Sequence, residues 1–102
     1  MAEKFIVAKV SDIQNGQKKR VKAGETVLML ARVEDKFFAV QDACTHNKAS
    51  LSAGYLHGYR IECGWHGAQF DLRTGEVKAL PAARPLKTYP VEIDGENIVV
   101  MI

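Results

Sequence analysis

The chain has 102 residues, 47% hydrophobic and 25% charged, the composition of one ordinary globular domain with a single core. Fourteen Lys and Arg against twelve Asp and Glu leave a net charge of +2, too little to point to nucleic acid. The longest apolar run, Val27–Ala31, falls far short of the about 20 residues that cross a bilayer, and Met-Ala-Glu-Lys before Phe5–Ala8 is no secretory signal; a cytoplasmic protein without a membrane anchor is expected.

The hydrophobic period is short along most of the chain, so strands are predicted in order. Phe5–Val10 is the first, followed by a polar strand at Lys18–Lys22 bounded by Asn15-Gly16 and Ala23-Gly24. Thr26–Val33 is aliphatic and reads as a central strand; Glu34-Asp35 turns it into Lys36–Val40. Phe37 and Phe38 fall on opposite faces of that strand, so at least one packs into the core. From Gln41 to about Gly75 the periodicity weakens, and five of the eight glycines, all three histidines and both cysteines lie there. Leu86–Ile93 and Asn97–Ile102 are strands flanking Asp94-Gly95, read as a type I′ turn. No segment keeps a capped helical period. The fold class is therefore all-β: an antiparallel sandwich or partly open barrel carrying reactive loops.

Those loops share a pattern. Cys44-Thr45-His46 is answered by Cys63-Gly64-Trp65-His66, one thiol and one imidazole in each half and in the same order. In a reducing compartment two cysteines read as ligands or buried thiols rather than a disulfide. Sulfur and imidazole together select zinc or iron–sulfur over magnesium or calcium. Structural zinc usually pairs like ligands along the chain, whereas a Rieske-type 2Fe–2S centre takes two cysteines on one iron and two histidines on the other. The spacing leaves both open and favours the second. Haem attachment is excluded, because Cys-x-x-Cys-His is absent. A Cys–His nucleophile lacks an obvious orienting acid. His57, before Gly58, reads as a solvated turn residue, and Lys18-Lys19-Arg20 with Lys22 as a solvated edge that discourages strand pairing.

Cys44-x-His46-x16-Cys63-x2-His66 resembles the Rieske cluster motif, and the likeness extends well beyond it. Gly54–Gly58 with Ile61–Cys63 resembles the hairpin between the two cluster loops of Rieske ferredoxins; Trp65–Asp71 with Thr74-Gly75 resembles the stretch after the second loop. Leu80–Ala83 sits where the family has a shielding proline loop, and Leu86–Val91 resembles the closing strand of ferredoxins from bacterial aromatic-ring dioxygenase systems. The resemblance implies a single Rieske domain over 1–102, with a cluster-binding subdomain of about 41–75 inserted in a basal β domain. It implies one 2Fe–2S cluster held by Cys44, His46, Cys63 and His66, with no catalytic residue.

Departures from the respiratory Rieske proteins are informative. Ala49 and Trp65 stand where those proteins carry a disulfide, and Ala68 and Phe70 where they carry a serine and a tyrosine that donate to sulfur. With no membrane anchor either, a low-potential electron carrier is implied, not an enzyme. The resemblance further implies a monomer that docks transiently over His46 and His66, between a flavin-containing NAD(P)H-dependent reductase and a terminal Rieske oxygenase. The alternatives are a Rieske-type small subunit of an assimilatory nitrite reductase and, in another class, a zinc-stabilised interaction module.

Overall fold

The computed structural model describes residues 3–43, 50–64, 67–79 and 84–102. Among the described residues, the strands are β1 (Lys4–Lys9), β2 (Gln17–Ala23), β3 (Thr26–Val33), β4 (Lys36–Gln41), β5 (Tyr55–His57), β6 (Arg60–Glu62), β7 (Gln69–Asp71), β8 (Val77–Ala79), β9 (Thr88–Tyr89), β10 (Val91–Asp94) and β11 (Asn97–Met101). Single 3-10 turns occupy Val10–Asp12 and Leu51–Ala53. All pairings are antiparallel and make three sheets, ordered β1-β11-β10, β2-β3-β4-β9 and β5-β6-β7-β8.

The middle sheet is covered on both faces, and β3 shows why its sequence is a continuous aliphatic run. Leu28 and Leu30 point into one core with Val21, Ala23, Ala39, Ile98 and Val100. Met29, Ala31 and Val33 point the other way, against Ile61, Cys63, Phe70 and Leu72. The first core joins the middle sheet to β1-β11-β10; the second joins it to the sheet of β5–β8. Phe37 and Phe38 divide between the two cores as their alternation requires. Arg32 lies over the Phe37 ring at 5.0 Å, and Tyr59 meets Phe38 edge-on at 5.8 Å.

Three expectations are corrected. Leu86–Ile93 is not one strand. Thr88 and Tyr89 pair with Val40 and Ala39 in the middle sheet, whereas Val91–Asp94 pair with β11 in the outer one. Pro90 lies at the transfer: it has no N–H for either ladder, and its carbonyl accepts from Met101 N at 3.1 Å. Val10 leaves the first strand because Asp12 Oδ2 accepts from Lys9 N at 2.9 Å, closing the 3-10 turn. In the last hairpin Asp94 pairs with Asn97, so the turn residues are Gly95 and Glu96, with left-handed φ (60°) on Gly95 alone. That is the pattern of a type II′ turn rather than I′. The double positive φ of a type I′ turn occurs at Glu34 (51°) and Asp35 (63°). There Asn15 stabilises the unusual backbone: its Nδ2 donates to Asp35 Oδ1 at 2.9 Å, and Asp35 N donates to Asn15 Oδ1 at 2.7 Å.

Candidate metal centre

The candidate ligands fall in two connections of the chain, and the described residues close both at the neck. The first leaves β4 and returns at Ser50, where Ala43 and Ser50 form an antiparallel bridge. Asp42 fastens this neck. Its Oδ2 accepts from Ser50 Oγ at 2.6 Å, its Oδ1 from Ser52 N at 3.0 Å, and its backbone carbonyl from Leu51 N at 2.6 Å. The second connection joins β6 to β7. Glu62 pairs with Gln69, and Cys63 N donates to Ala68 O at 2.7 Å. Gly67, at φ +75°, supplies the left-handed residue inside it.

Residues 50–54 tie the two necks together. A Cβ on Gly54 would lie 2.0 Å from the carbonyl oxygen of Glu62, so only glycine lets this backbone pass so close to the residue preceding Cys63. Cys63 itself is completely buried, packed in the core that contains Ala68 and Phe70, both also completely buried. Its backbone position is thus fixed by a hydrogen bond and its side chain by packing. Cys44, His46 and His66 lie outside the described residues, as do Ala49, Trp65 and Leu80–Ala83. His57 is described: it ends β5 before Gly58 (φ +57°), is more than half exposed, and its Nε2 stands 3.2 Å from Glu62 Oε1. Gln69 Nε2 donates to that same carboxylate oxygen at 3.0 Å.

Sequence reasoning treated Lys18 and Arg20 as a solvated edge. β2 is an edge strand, but the face carrying Lys18 and Arg20 turns toward the first neck. Lys18 Nζ donates to Ser52 O at 2.7 Å, and Arg20 Nε lies 3.4 Å from Asp42 Oδ2. The available signal was the alternation in β2, which puts these two opposite Val21 and Ala23, together with an acid two residues before Cys44. At the opposite end of the β5–β6 hairpin, Tyr59 donates its hydroxyl to Glu34 of the β3–β4 turn. This hydrogen bond is the main reason the Tyr59 phenol titrates above its ordinary value. Arg73 lies over the Tyr59 ring at 4.5 Å and forks onto Asp71, with Nε 3.1 Å from Oδ1 and an Nη 2.9 Å from Oδ2. Those bonds hold the Asp71 carboxyl below the usual range.

Two thiols and two imidazoles, one of each per connection, suit a 2Fe–2S centre, and the buried Cys63 at a tightly closed neck suits an inner, thiolate-held iron. Residues 3–90 match the Rieske [2Fe-2S] domain, and the chain belongs to that family, whose members hold one Rieske-type 2Fe–2S cluster. That resolves the choice the spacing left open, against structural zinc. The relatives narrow the class further. The chain is 40% identical over 89 residues to the ferredoxin component of biphenyl 2,3-dioxygenase from Rhodococcus jostii (strain RHA1), covering 87% of this chain and 83% of that one. It is 43% identical over 91 residues to the ferredoxin component of the p-cumate 2,3-dioxygenase system of Pseudomonas putida, covering 87% and 77%. Among solved structures, the complex of reduced oxygenase and oxidized ferredoxin in carbazole 1,9a-dioxygenase contains a chain that superposes with a TM-score of 0.90 at 40% identity, over 95% of this chain and 91% of that one. Sphingomonas yanoikuyae B1 ferredoxin superposes at 0.91 with 34% identity, over 96% and 97%.

Proposed function

We propose that this protein is a one-electron carrier of the cytoplasm that passes electrons from an NAD(P)H-dependent flavin reductase to a terminal Rieske oxygenase acting on aromatic compounds. The observation that carries the reading is the similarity, along nearly the whole chain, to ferredoxin components of aromatic dioxygenases, one solved structure being a complex of reduced oxygenase and oxidized ferredoxin. The same relatives favour this partner over a nitrite reductase. Among the described residues no helix is long and apolar enough to cross a membrane.

Cys44 and Cys63 are assigned to one iron and His46 and His66 to the other. When bound, such a cluster supplies a one-electron couple whose histidine-held iron has the higher potential. The chain's own contribution is to hold the necks of the two ligand connections side by side and to bury Cys63 at the base of one of them. Phe70 and Leu72 pack with Cys63 and exclude water from behind it. Around the two necks, Asp42 and Glu62 are each engaged with local partners. A face with its charges so engaged suits brief docking of a monomer over His46 and His66. The whole chain is assigned to one Rieske domain, with about 41–75 as its cluster-binding subdomain; the separate sheet of β5–β8 supports such a subdomain, although its β8 runs past residue 75 to Ala79.

Cys44→Ser and Cys63→Ser are the direct test. Each should give protein with little iron and acid-labile sulfide and no reducible brown chromophore. Native protein containing one zinc and no sulfide overturns the assignment. Reconstituted oxidation of an aromatic substrate with reductase and oxygenase components tests the carrier role, and a system that runs equally fast without this protein refutes it.

A further inference from the structure

The Asp42 carboxylate is almost completely buried, and every bond described for its side chain goes to the returning side of the first connection or to another strand. Ser50 Oγ and Ser52 N both donate to it, so it clasps the two described ends of the first connection together. A carboxylate can accept from all of them, whereas an amide would turn its NH2 toward a donor. A buried carboxylate is costly unless it is paired and hydrogen-bonded. The counter-charge comes from Arg20, on an edge strand distant in sequence, with Nε at 3.4 Å and its side chain mostly exposed. Lys18, two residues earlier on the same face, donates to Ser52 O at 2.7 Å and holds the other end of the clasp.

We propose that Asp42, with Arg20 as its counter-ion, is the positioning residue of the first ligand connection and biases the electron affinity of the cluster held there. This rests on the reading that Cys44 and His46 are ligands. Covalent geometry alone keeps the α-carbons of residues 42 and 44 within about 7 Å, inside one Debye length at physiological salt. A negative charge at that distance opposes the arrival of an electron, and the Arg20 guanidinium opposes the carboxylate. The pair therefore has two separable roles: the hydrogen bonds fix the loop, and the charges set the balance between oxidised and reduced protein.

The test is an anaerobic redox titration of the intact holoprotein with chelator-driven iron loss measured alongside. At the solution potential that half-reduces the wild type, Asp42→Asn should be mostly reduced and Arg20→Gln mostly oxidised. Raising salt should shrink the Arg20→Gln difference, because that head group is exposed. Ser50→Ala keeps both charges; it should titrate like the wild type yet lose iron to a chelator several-fold faster. Opposite displacements by the two charge variants are what a merely structural clasp does not produce. Displacements in the same direction, or none, overturn the proposal. If Asp42→Asn does not fold, wild-type titration of Arg20→Gln or wild-type iron loss in Ser50→Ala overturns it equally. Cys44→Ser separates the two readings: if it keeps full iron and sulfide, the ligand assignment itself falls.

Discussion

At the scale of residues, what is missing beside Cys63 is as informative as what is present. Ala68 and Phe70 are completely buried in the same core as this cysteine, and neither can donate a hydrogen bond from its side chain. A buried hydroxyl introduced there needs an acceptor. The resemblance places sulfur within reach, so Phe70→Tyr and Ala68→Ser should each raise the reduction potential. A hydrogen bond to a charged acceptor is worth about 1.5–3 kcal/mol, and about 1.4 kcal/mol corresponds to roughly 59 mV for one electron. The ceiling is then about 60–130 mV, lowered by whatever the oxidised state also gains. Square-wave voltammetry checks it; intact clusters with unchanged potentials remove the argument from absent hydroxyls. Much at this scale was legible: the exposure of His57, which closes β5 rather than lying in the turn itself, and the opposed faces of Phe37 and Phe38 follow from local pattern. The roles of Lys18, Arg20 and Asp42 were not, because each depends on a side-chain contact with a loop or turn elsewhere in the sequence. Composition sees such residues only as cancelling charges.

At the scale of elements, two glycines decide whether the β5–β8 sheet can seat. Gly54 passes the carbonyl of Glu62 at a distance that admits no Cβ, and a Cβ on Gly75, at φ +81°, would lie 2.2 Å from the carbonyl oxygen of Leu86. Gly54→Ala and Gly75→Ala should each destabilise by about 2 kcal/mol or more, the range of substitutions that force backbones apart. Gly16→Ala is the control: it also has positive φ, but open space around it, and should cost less. Chemical denaturation of the three variants checks the order. Long alternating strands were readable; β7 and β8, three residues each, were not predicted as strands, since so short a run shows no period. The break at Pro90 was readable in principle, since proline cannot serve a central ladder. The apolar alternation on either side of it conceals that the two halves belong to different sheets.

At the scale of the whole molecule, one end of the β5–β8 sheet carries two adjoining contacts of opposite pH sensitivity: Tyr59 ties the sheet to Glu34 of the β3–β4 turn, and Arg73, over the Tyr59 ring, forks onto Asp71. Hydrogen bonds from Arg73 hold Asp71 below its ordinary titration range, so the fold favours the charged carboxylate. That stabilisation is complete above about pH 4, the unfolded value, and is lost as pH falls through the depressed folded value. Donation to Glu34 raises Tyr59, so the fold favours the protonated phenol. Its stabilisation is complete below about pH 10 and is lost as pH rises through the folded value. Thermal melts of the holoprotein should therefore show an acid limb that Arg73→Gln weakens and an alkaline limb that Tyr59→Phe weakens. Limbs unchanged in both variants would show that neither contact secures the sheet. The pairing of β1 with β11 sets Lys4 opposite Met101. β1 leaves the ribosome before both ligand connections, and its hydrogen-bonded neighbour β11 only after them. During synthesis the core faces of Phe5 and Val7 stay uncovered while every residue of both ligand connections is already outside. Closure of that outer sheet is a late, long-range step of the kind that slows β-proteins to milliseconds or longer. Metal delivery to the nascent chain thus has a time window that the order of the strands creates.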